Sequence, residues 1–286
     1  MNDAVGLVGL GNMGSALAAN LVAAGFDVVT HDVAGSERSP DGATFVSDVA
    51  ELADRTVVLF SLPDGRASEA VAASLIGATD RKLSLVIDTS TIGLDAARSF
   101  AALLADAGIG YVDAPVSGGP AGARARTLTV TVMYAGSPAA CAAARPVLDG
   151  LSDRLYHVGD EPGMGQAVKL ANNFLSATAL AATSEAVAFA TSVGVDMATV
   201  LEVLNASSGQ SAASSDKFVN HVLTGGFSSG FANTLMAKDV SLYLDATESV
   251  HAAARIGTVT AALWRHFADA EPGVDFTRIY DFARRP

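Results

Sequence analysis

Cysteine is nearly missing from this chain: Cys141 stands alone among 286 residues. A single thiol excludes an intrachain disulfide framework and fits a reducing compartment. Aromatic residues make up only 6% of the sequence and tryptophan occurs once, so cores must be built from small aliphatics and close helix contacts. Positive charge is scarce, with 18 Lys and Arg against 30 Asp and Glu, and the formal net charge of −12 disfavours nucleic acid and anionic membranes as partners. An anionic ligand must therefore meet a local positive site that works against the global field. The histidines (His31, His157, His221, His251, His266) show no HxxxH or His/Cys ligand spacing, so no metal site is expected. Ser207-Ser208-Gly209 lacks the context of a hydrolase nucleophile elbow. No basic n-region with a cleavage site leads into the first apolar run, so no secretory signal is expected and the location is read as cytoplasmic. A long uncharged run is also lacking. The best candidate, Leu170 to Ser184, spans fifteen residues between Lys169 and Glu185 and contains Asn172 and Asn173. A membrane span needs about 20, so this run is expected to be a buried helix of a soluble protein.

What the chain does have is ample apolar material: 50% of its residues are hydrophobic and 17% charged, enough for a sizeable core and too apolar for disorder. The first half alternates strand-like and helix-like segments. Apolar runs at Ala4–Val8, Phe26–Thr30, Thr56–Ser61, Leu83–Asp88 and Ile109–Asp113 are separated by periodic or Ala-rich stretches, among them 66–76 and 94–107. This order predicts a parallel sheet with helices on both faces. A strand at Leu128–Tyr134, a helix at 138–149 and a strand at 154–158 close that half. Beyond Gly163 strand signals nearly vanish, and Ala-rich segments at 164–193, 196–206, 211–223, 232–250, 253–269 and 275–283 predict an all-helical second half. The turn-rich stretch Gly159–Gly165 lies at the junction, giving domains at 1–163 and 164–286.

The segment with the clearest chemistry is Gly9-Leu10-Gly11-Asn12-Met13-Gly14, which follows the first apolar run and opens a helical stretch that Gly25 ends. A second apolar run then delivers Asp32, eighteen residues after Gly14. Strand, Gly-rich turn, helix, strand and acid form the order that a dinucleotide needs. Gly9 permits the tight turn, Gly11 lets the backbone approach a pyrophosphate, Gly14 lets helix and strand pack closely, and the helix start offers N–H groups to the anion. Asn12 and Met13 complete that cradle. A carboxylate at Asp32 accepts hydrogen bonds from ribose hydroxyls and repels a 2′-phosphate, favouring NAD; Arg38 in the following loop keeps NADP as the less favoured alternative.

Three further constellations stand out. The run Asp113-Ala114-Pro115-Val116-Ser117-Gly118-Gly119-Pro120 follows a strand, where a serine and two glycines expose a hydroxyl and consecutive N–H groups suited to a carboxylate. Residue types alone leave an ordinary Gly/Pro turn equally open there. In Gly163-Met164-Gly165-Gln166-Ala167-Val168-Lys169-Leu170-Ala171-Asn172-Asn173, Lys169 lies near the start of an apolar helix with Asn173 one turn on along the same face. A cation there opposes the helix dipole, and partial burial adds to that, so both favour the neutral amine and a pKa useful for proton transfer. A snorkelling lysine at a domain seam is the plainer alternative. Lys238 and Asp239 interrupt another apolar helix, which leaves open that they pair or face a cleft; taken alone, a solvated stripe is the plainer reading.

Together these blocks resemble the β-hydroxyacid dehydrogenase family, which includes 3-hydroxyisobutyrate dehydrogenase, tartronate semialdehyde reductase and, more distantly, 6-phosphogluconate dehydrogenase. The matching blocks are GLVGLGNMGSALAANL (6–21), FSLP (60–63), DTSTI (88–92), DAPVSGG (113–119), GMGQAVKLANN (163–173), LNASSG (204–209) and LMAKD (235–239), in the family's order and near its spacing. The resemblance implies an N-terminal Rossmann-type doubly wound α/β domain and an all-α C-terminal domain joined by the long helix that carries Lys169. It implies that Lys169 is the catalytic acid/base, that Asn173 orients the substrate, and that Ser117, Gly118 and Gly119 hold its carboxylate. Leu62, Pro63 and Thr91 match positions lining the cofactor, and Lys238 matches a lysine near the nicotinamide end. A small anionic hydroxy acid as substrate and a homodimer or homotetramer are implied as well.

The chain departs from the family in two places. Arg126 stands where many relatives have Gly, before a strand that reads about two residues longer here. Gln210 and small residues follow Ser207-Ser208-Gly209, where several relatives carry Arg and a bulky aromatic. The expected activity is NAD-dependent oxidation of a small β-hydroxy acid, 3-hydroxyisobutyrate first, or the reverse reduction of the semialdehyde. The alternatives are another short-chain semialdehyde reductase such as one for tartronate semialdehyde, an imine reductase, and a non-catalytic nucleotide-binding module. Lys169 and Asp32 both weigh against the imine reductase, and Lys169 against the non-catalytic module.

Overall fold

The computed structural model describes residues 4–118 and 131–284; Gly119 and Arg126 lie outside them. The chain forms two compact units, Met1–Lys169 and Leu170–Pro286.

In the first unit the apolar runs become β1 (Ala4–Val8), β2 (Asp27–His31), β3 (Thr44–Phe45), β4 (Val57–Phe60), β5 (Leu85–Asp88), β6 (Gly110–Asp113), β7 (Val116–Ser117), β8 (Thr131–Ala135) and β9 (Arg154–Gly159). The sheet order is β3-β2-β1-β4-β5-β6-β8-β7, with β9 paired to β8. All neighbours from β3 to β6 are parallel. Helices α1 (Gly14–Ala23), α2 (Gly65–Ile76), α3 (Leu94–Asp106) and α4 (Pro138–Leu151) alternate with them.

The strands are apolar on both faces because both are covered. Val5, Leu7, Leu59, Leu85, Ile87 and Val112 pack with Leu17 and Leu21 of α1 and Val147 and Leu148 of α4. The intervening residues Val8, Val58, Phe60, Val86 and Tyr111 pack instead with Leu75 of α2 and Phe100 and Leu104 of α3. The period of two thus sorts each strand between two cores.

Two strands run against the rest: β8 is antiparallel to both β6 and β7, and β9, parallel to β8, shares its direction. An antiparallel strand with two covered faces carries the same apolar pattern as a parallel one, so the pattern does not encode its direction.

Among its described residues the second unit's regular elements are all helices, apart from a single bridge between Ala232 and Asp275. Helix α5 (Met164–Ser192) begins in the first unit and continues here, followed by α6 (Met197–Asn205), α7 (Asn233–Ser249), α8 (Arg255–Ala270) and α9 (Ile279–Ala283). The only tryptophan, Trp264, is wholly buried with Phe218, Phe267 and Phe276, and its Nε1–H donates to Ala177 O of α5 at 3.2 Å. Gly257 lets α8 approach α7, since a Cβ there would meet Tyr243 at 3.0 Å.

Two helical expectations need correction. The segment expected to be helical over 211–223 is a π-helix at Ala213–Val222. Its first turn is crowded: Ser211 O accepts from Ser215 N and from the hydroxyls of Ser214 and Ser215, a local competition that loosens α-helical pairing. The apolar stretch of α5 is also only half buried. Leu170, Ala177, Leu180 and Val187 face the interior, while Leu175 and Phe189 are exposed. At 29 residues α5 is long and apolar enough for a membrane by length and composition, yet its inner face packs as a core helix does.

Candidate active site

The glycine-rich turn sits between the end of β1 and α1. Gly9 holds φ +93° and a Cβ there would meet Ser61 O at 2.3 Å, so only glycine fits. A Cβ at Gly14 would strike Gly9 O at 1.8 Å, whereas a Cβ at Gly11 would meet nothing within 4 Å. The tight positions and the open one fall where a pyrophosphate cradle needs them. No side chain caps α1 and its first turn holds no acid, which leaves its N–H groups for an anion. Asp32, half-buried after β2, accepts from Leu10 N at 2.5 Å and from Ala34 N at 2.7 Å. Both oxygens are thus anchored while lone pairs remain for ribose hydroxyls. Arg38 is exposed in a short 3-10 turn, Ser36–Arg38. These residues fit a dinucleotide.

Leu62, Pro63 and Thr91, also expected around a cofactor, lie at the same carboxyl edge of the sheet, the ligand-binding edge of open α/β sheets. Leu62 and Thr91 are half-buried and Pro63 exposed, in the loops after β4 and β5. The two loops are tied by Leu62 N donating to Ser90 Oγ at 2.8 Å. Ser117 is half-buried on β7 and Gly118 is exposed with φ +126°.

Lys169 is the sixth residue of α5 and only 8% exposed. Its helix has no acid in its first turn, and the cap comes from β6. Asp113 Oδ1 accepts from Gly163 N and Oδ2 from Gln166 N, both at 2.9 Å. Gly163 has φ +92°, and a Cβ on Gly165 would meet Met133 O at 2.6 Å and Asp113 Oδ2 at 2.7 Å, which accounts for both glycines. Burial pushes the Asp113 carboxyl up to about 6 against the pull of those two N–H donors, and neighbouring Asp88 adds to the rise. Gln166, wholly buried, bonds the Ser90–Gly93 loop to the helix through its amide.

In the second unit Asn173, one turn beyond Lys169 on α5, is buried and donates from Nδ2 to Asp239 Oδ2 at 2.6 Å. Asn172 Nδ2 donates to Asn173 Oδ1 at 3.1 Å. Lys238 Nζ lies 3.3 Å from Asp239 Oδ1. Asp239 is 3% exposed, so its reading as part of a solvated stripe is overturned: its Oδ2 accepts from the Asn173 amide and its Oδ1 is ion-paired with Lys238, which offsets the cost of burying the charge. The loop at Ser207–Gln210 is exposed and turns back through Gln210 N to Ser207 O.

The structure therefore brings the glycine turn, Asp32, Leu62, Thr91 and the helix start bearing Lys169 into one bonded framework. Separately, it joins Asn173 and Lys238 through Asp239. Nothing in the sequence assigned Gln166 a role, and Asp113 and Asp239, though within the motifs, carried no sign of the partners they meet. The one sequence signal for Asp113 was an acid-free helix start that needed a cap from elsewhere.

Comparison with known proteins gives the same picture. Residues 4–159 match the family described as NAD binding domain of 6-phosphogluconate dehydrogenase. Residues 163–283 match NAD-binding of NADP-dependent 3-hydroxyisobutyrate dehydrogenase. The chain is 36% identical to 3-hydroxyisobutyrate dehydrogenase of Pseudomonas aeruginosa over 98% of both proteins. It is 34% identical to 2-(hydroxymethyl)glutarate dehydrogenase of Eubacterium barkeri over 85% of this chain and 81% of that one. Among solved structures, the 3-hydroxyisobutyrate dehydrogenase of Mycobacterium tuberculosis with L-serine superposes with a TM-score of 0.90 at 30% identity, covering both chains fully. With a Rossmann-type unit fitted to a dinucleotide, a helical unit following it in the chain and relatives matched end to end, the chain belongs to the β-hydroxyacid dehydrogenase family of NAD(P)-dependent oxidoreductases acting on CH–OH groups.

Proposed function

We propose that this protein oxidises the primary alcohol of a small β-hydroxy acid to the semialdehyde, or reduces the semialdehyde, with Lys169 as general acid/base. The observation that carries the reading is Lys169 itself, a residue only 8% exposed in the second turn of a helix whose start is bonded to the loop after β5 and to Asp113 of β6. A bound oxidised nicotinamide would supply the acceptor for the hydride of the carbinol carbon. Lys169 Nζ takes the hydroxyl proton in oxidation and returns it in reduction. One amide hydrogen of Asn173 is engaged by Asp239, and in this reading the other orients the substrate hydroxyl. Ser117, Gly118 and Gly119 receive the carboxylate. Gly9, Gly11, Asn12, Met13, Gly14, Asp32, Leu62, Pro63, Thr91 and Lys238 hold the cofactor, NAD in preference to NADP because Asp32 repels a 2′-phosphate. In this reading residues 1–163 bind the dinucleotide and 164–286 serve substrate binding and assembly.

The molecules named with the relatives share a hydroxymethyl carbon next to the carbon that bears a carboxylate. 3-Hydroxyisobutyrate, L-serine and 2-(hydroxymethyl)glutarate differ only in the third substituent: methyl, ammonium or a second acid arm. We take 3-hydroxyisobutyrate as the first substrate. Purified protein is assayed for NADH production with these three acids, glycerate and 3-hydroxypropionate, each with NAD and with NADP. Turnover on one of them with NAD supports the reading, and NAD binding with no turnover on any defeats it.

The protein is further inferred to be a cytoplasmic homodimer or homotetramer. Support comes from large apolar side chains left exposed in the helical unit, Phe189 at 71% and Val193 at 68% on and just after α5 and Ile256 and Val259 on α8. Light scattering on the eluted protein tests this.

A further inference from the structure

Gln166 has no place in the chemistry just proposed, yet it is wholly buried and bonded in three directions. Its Oε1 accepts from Ile92 N at 3.0 Å and Gly93 N at 3.2 Å, and its Nε2 donates to Ser90 O at 2.9 Å. Its own backbone N–H is held by Asp113 Oδ2 at 2.9 Å. Ser90 in turn takes Leu62 N on its hydroxyl at 2.8 Å. A single planar amide, one acceptor beside one donor, thus connects the helix turn that bears Lys169 to the loops that bear Thr91 and Leu62. An apolar side chain would leave two N–H groups and a carbonyl buried without partners, and a carboxylate would set an anion against Ser90 O.

We propose that Gln166 is a positioning residue: it fixes the distance between the cofactor-side loop Ser90–Gly93 and the helical turn carrying Lys169. The proposal rests on the acid/base reading of Lys169. Catalysis of this kind tolerates little displacement, and a shift of about 1 Å far from the reacting atoms costs about a hundredfold. The amide touches no reacting atom; it sets where the amine stands relative to the loop.

Two variants test it. Gln166→Met removes every side-chain bond at nearly constant volume. Gln166→Glu keeps the acceptor for Ile92 and Gly93, and its second oxygen can donate to Ser90 O only when protonated. The ionisable groups on the elements that meet this turn are Asp113 on β6, which holds the Gln166 N–H, Asp88 on β5, which holds Ser90 N, Tyr111 on β6 beside both acids, Arg98 on α3 packed at Gly163, and Lys169 on the same helix; the acids favour a proton on the introduced carboxyl and the cations oppose them. Both variants and the wild type are followed by kcat and KM across pH, by thermal melting, by NADH fluorescence titration, and by amide exchange of segments 88–94 and 163–169.

The expected result for Gln166→Met is kcat lowered about thirtyfold or more at every pH, with KM for the hydroxy acid moved less than about threefold and melting still cooperative. Gln166→Glu is expected within about threefold of wild type near pH 6 and about tenfold below it near pH 9, a descending limb that wild type lacks. Exchange at Ile92 and Gly93 rises in Gln166→Met, with distant segments unchanged. Wild-type kcat in both variants across the pH range, or a loss of kcat matched by loss of folded protein, overturns the proposal. If wild type oxidises no hydroxy acid, the Lys169 reading fails instead. The exchange data still decide whether Gln166 ties the two segments, and unchanged exchange at Ile92 and Gly93 overturns that.

Discussion

Asn173 Nδ2 donates to Asp239 Oδ2 across 2.6 Å, and both side chains are buried in the helical unit. The bond is charge-assisted and fixes the Asn173 amide so that its oxygen receives Asn172 and its remaining hydrogen faces away from Asp239. Asp239→Asn keeps the size, loses the charge, and leaves Lys238 without its carboxylate. Turnover is expected to fall about tenfold to a hundredfold, mostly in kcat, with NADH affinity changed less. Steady-state kinetics on the variant check this, and unchanged kcat would remove Asp239 from the site.

The acid/base role assigned to Lys169 makes a sharper demand. Lys169→Ala is expected to lose about a thousandfold or more in kcat while NAD affinity stays within about threefold. A titration beside the activity assay separates the two quantities. Turnover near the wild-type level would sink the mechanism.

Asp32 accepts N–H bonds from Leu10 and Ala34 and is the residue proposed to exclude a 2′-phosphate. Asp32→Asn removes the anionic repulsion but retains one good acceptor. The ratio of kcat/KM with NAD to that with NADP is expected to drop about tenfold or more. A ratio that stays constant would assign cofactor choice elsewhere.

The Asp113 carboxyl titrates at about 6 in the folded chain against 3.8 for an ordinary aspartate, chiefly because it is buried. Between those values the native state binds more protons than the unfolded state, so unfolding free energy falls as pH rises. The stabilisation from this group is full below the unfolded value and is lost through pH 6, a difference of about 3 kcal/mol. Urea midpoints measured at intervals across that window should drop with rising pH, and Asp113→Asn should flatten that part of the profile. A parallel profile in the variant would show that another group carries the dependence.

Much of the first unit was legible because its signals are local. Gly9, Gly11 and Gly14 announce the turn through backbone geometry that only nearby residues impose, and Asp32 follows at the end of the next strand. Lys169 stood out because a cation near a helix start is misplaced for the dipole. Asp113 and Gln166 were not legible in the same way. Asp113 meets Gly163 across 50 positions and Gln166 meets Ile92 across 74, and nothing in either segment names the other. Asp239 misled for a related reason: an acid beside a lysine on a helix reads as solvated until a buried amide is found facing it.

The sequence by itself determined the alternation of strands and helices, the dinucleotide turn, the helical second half and the helix carrying Lys169 and Asn173. These follow from φ/ψ preference and apolar period, properties of residues a few places apart. Only the tertiary structure decided that β8 runs antiparallel, that residues 213–222 wind as a π-helix, that Asp113 caps α5, that Gln166 ties a loop to it and that Asp239 is buried against Asn173. Burial and hydrogen-bond pairing depend on groups brought together from distant parts of the chain, and a linear pattern carries no record of which distant partner will arrive.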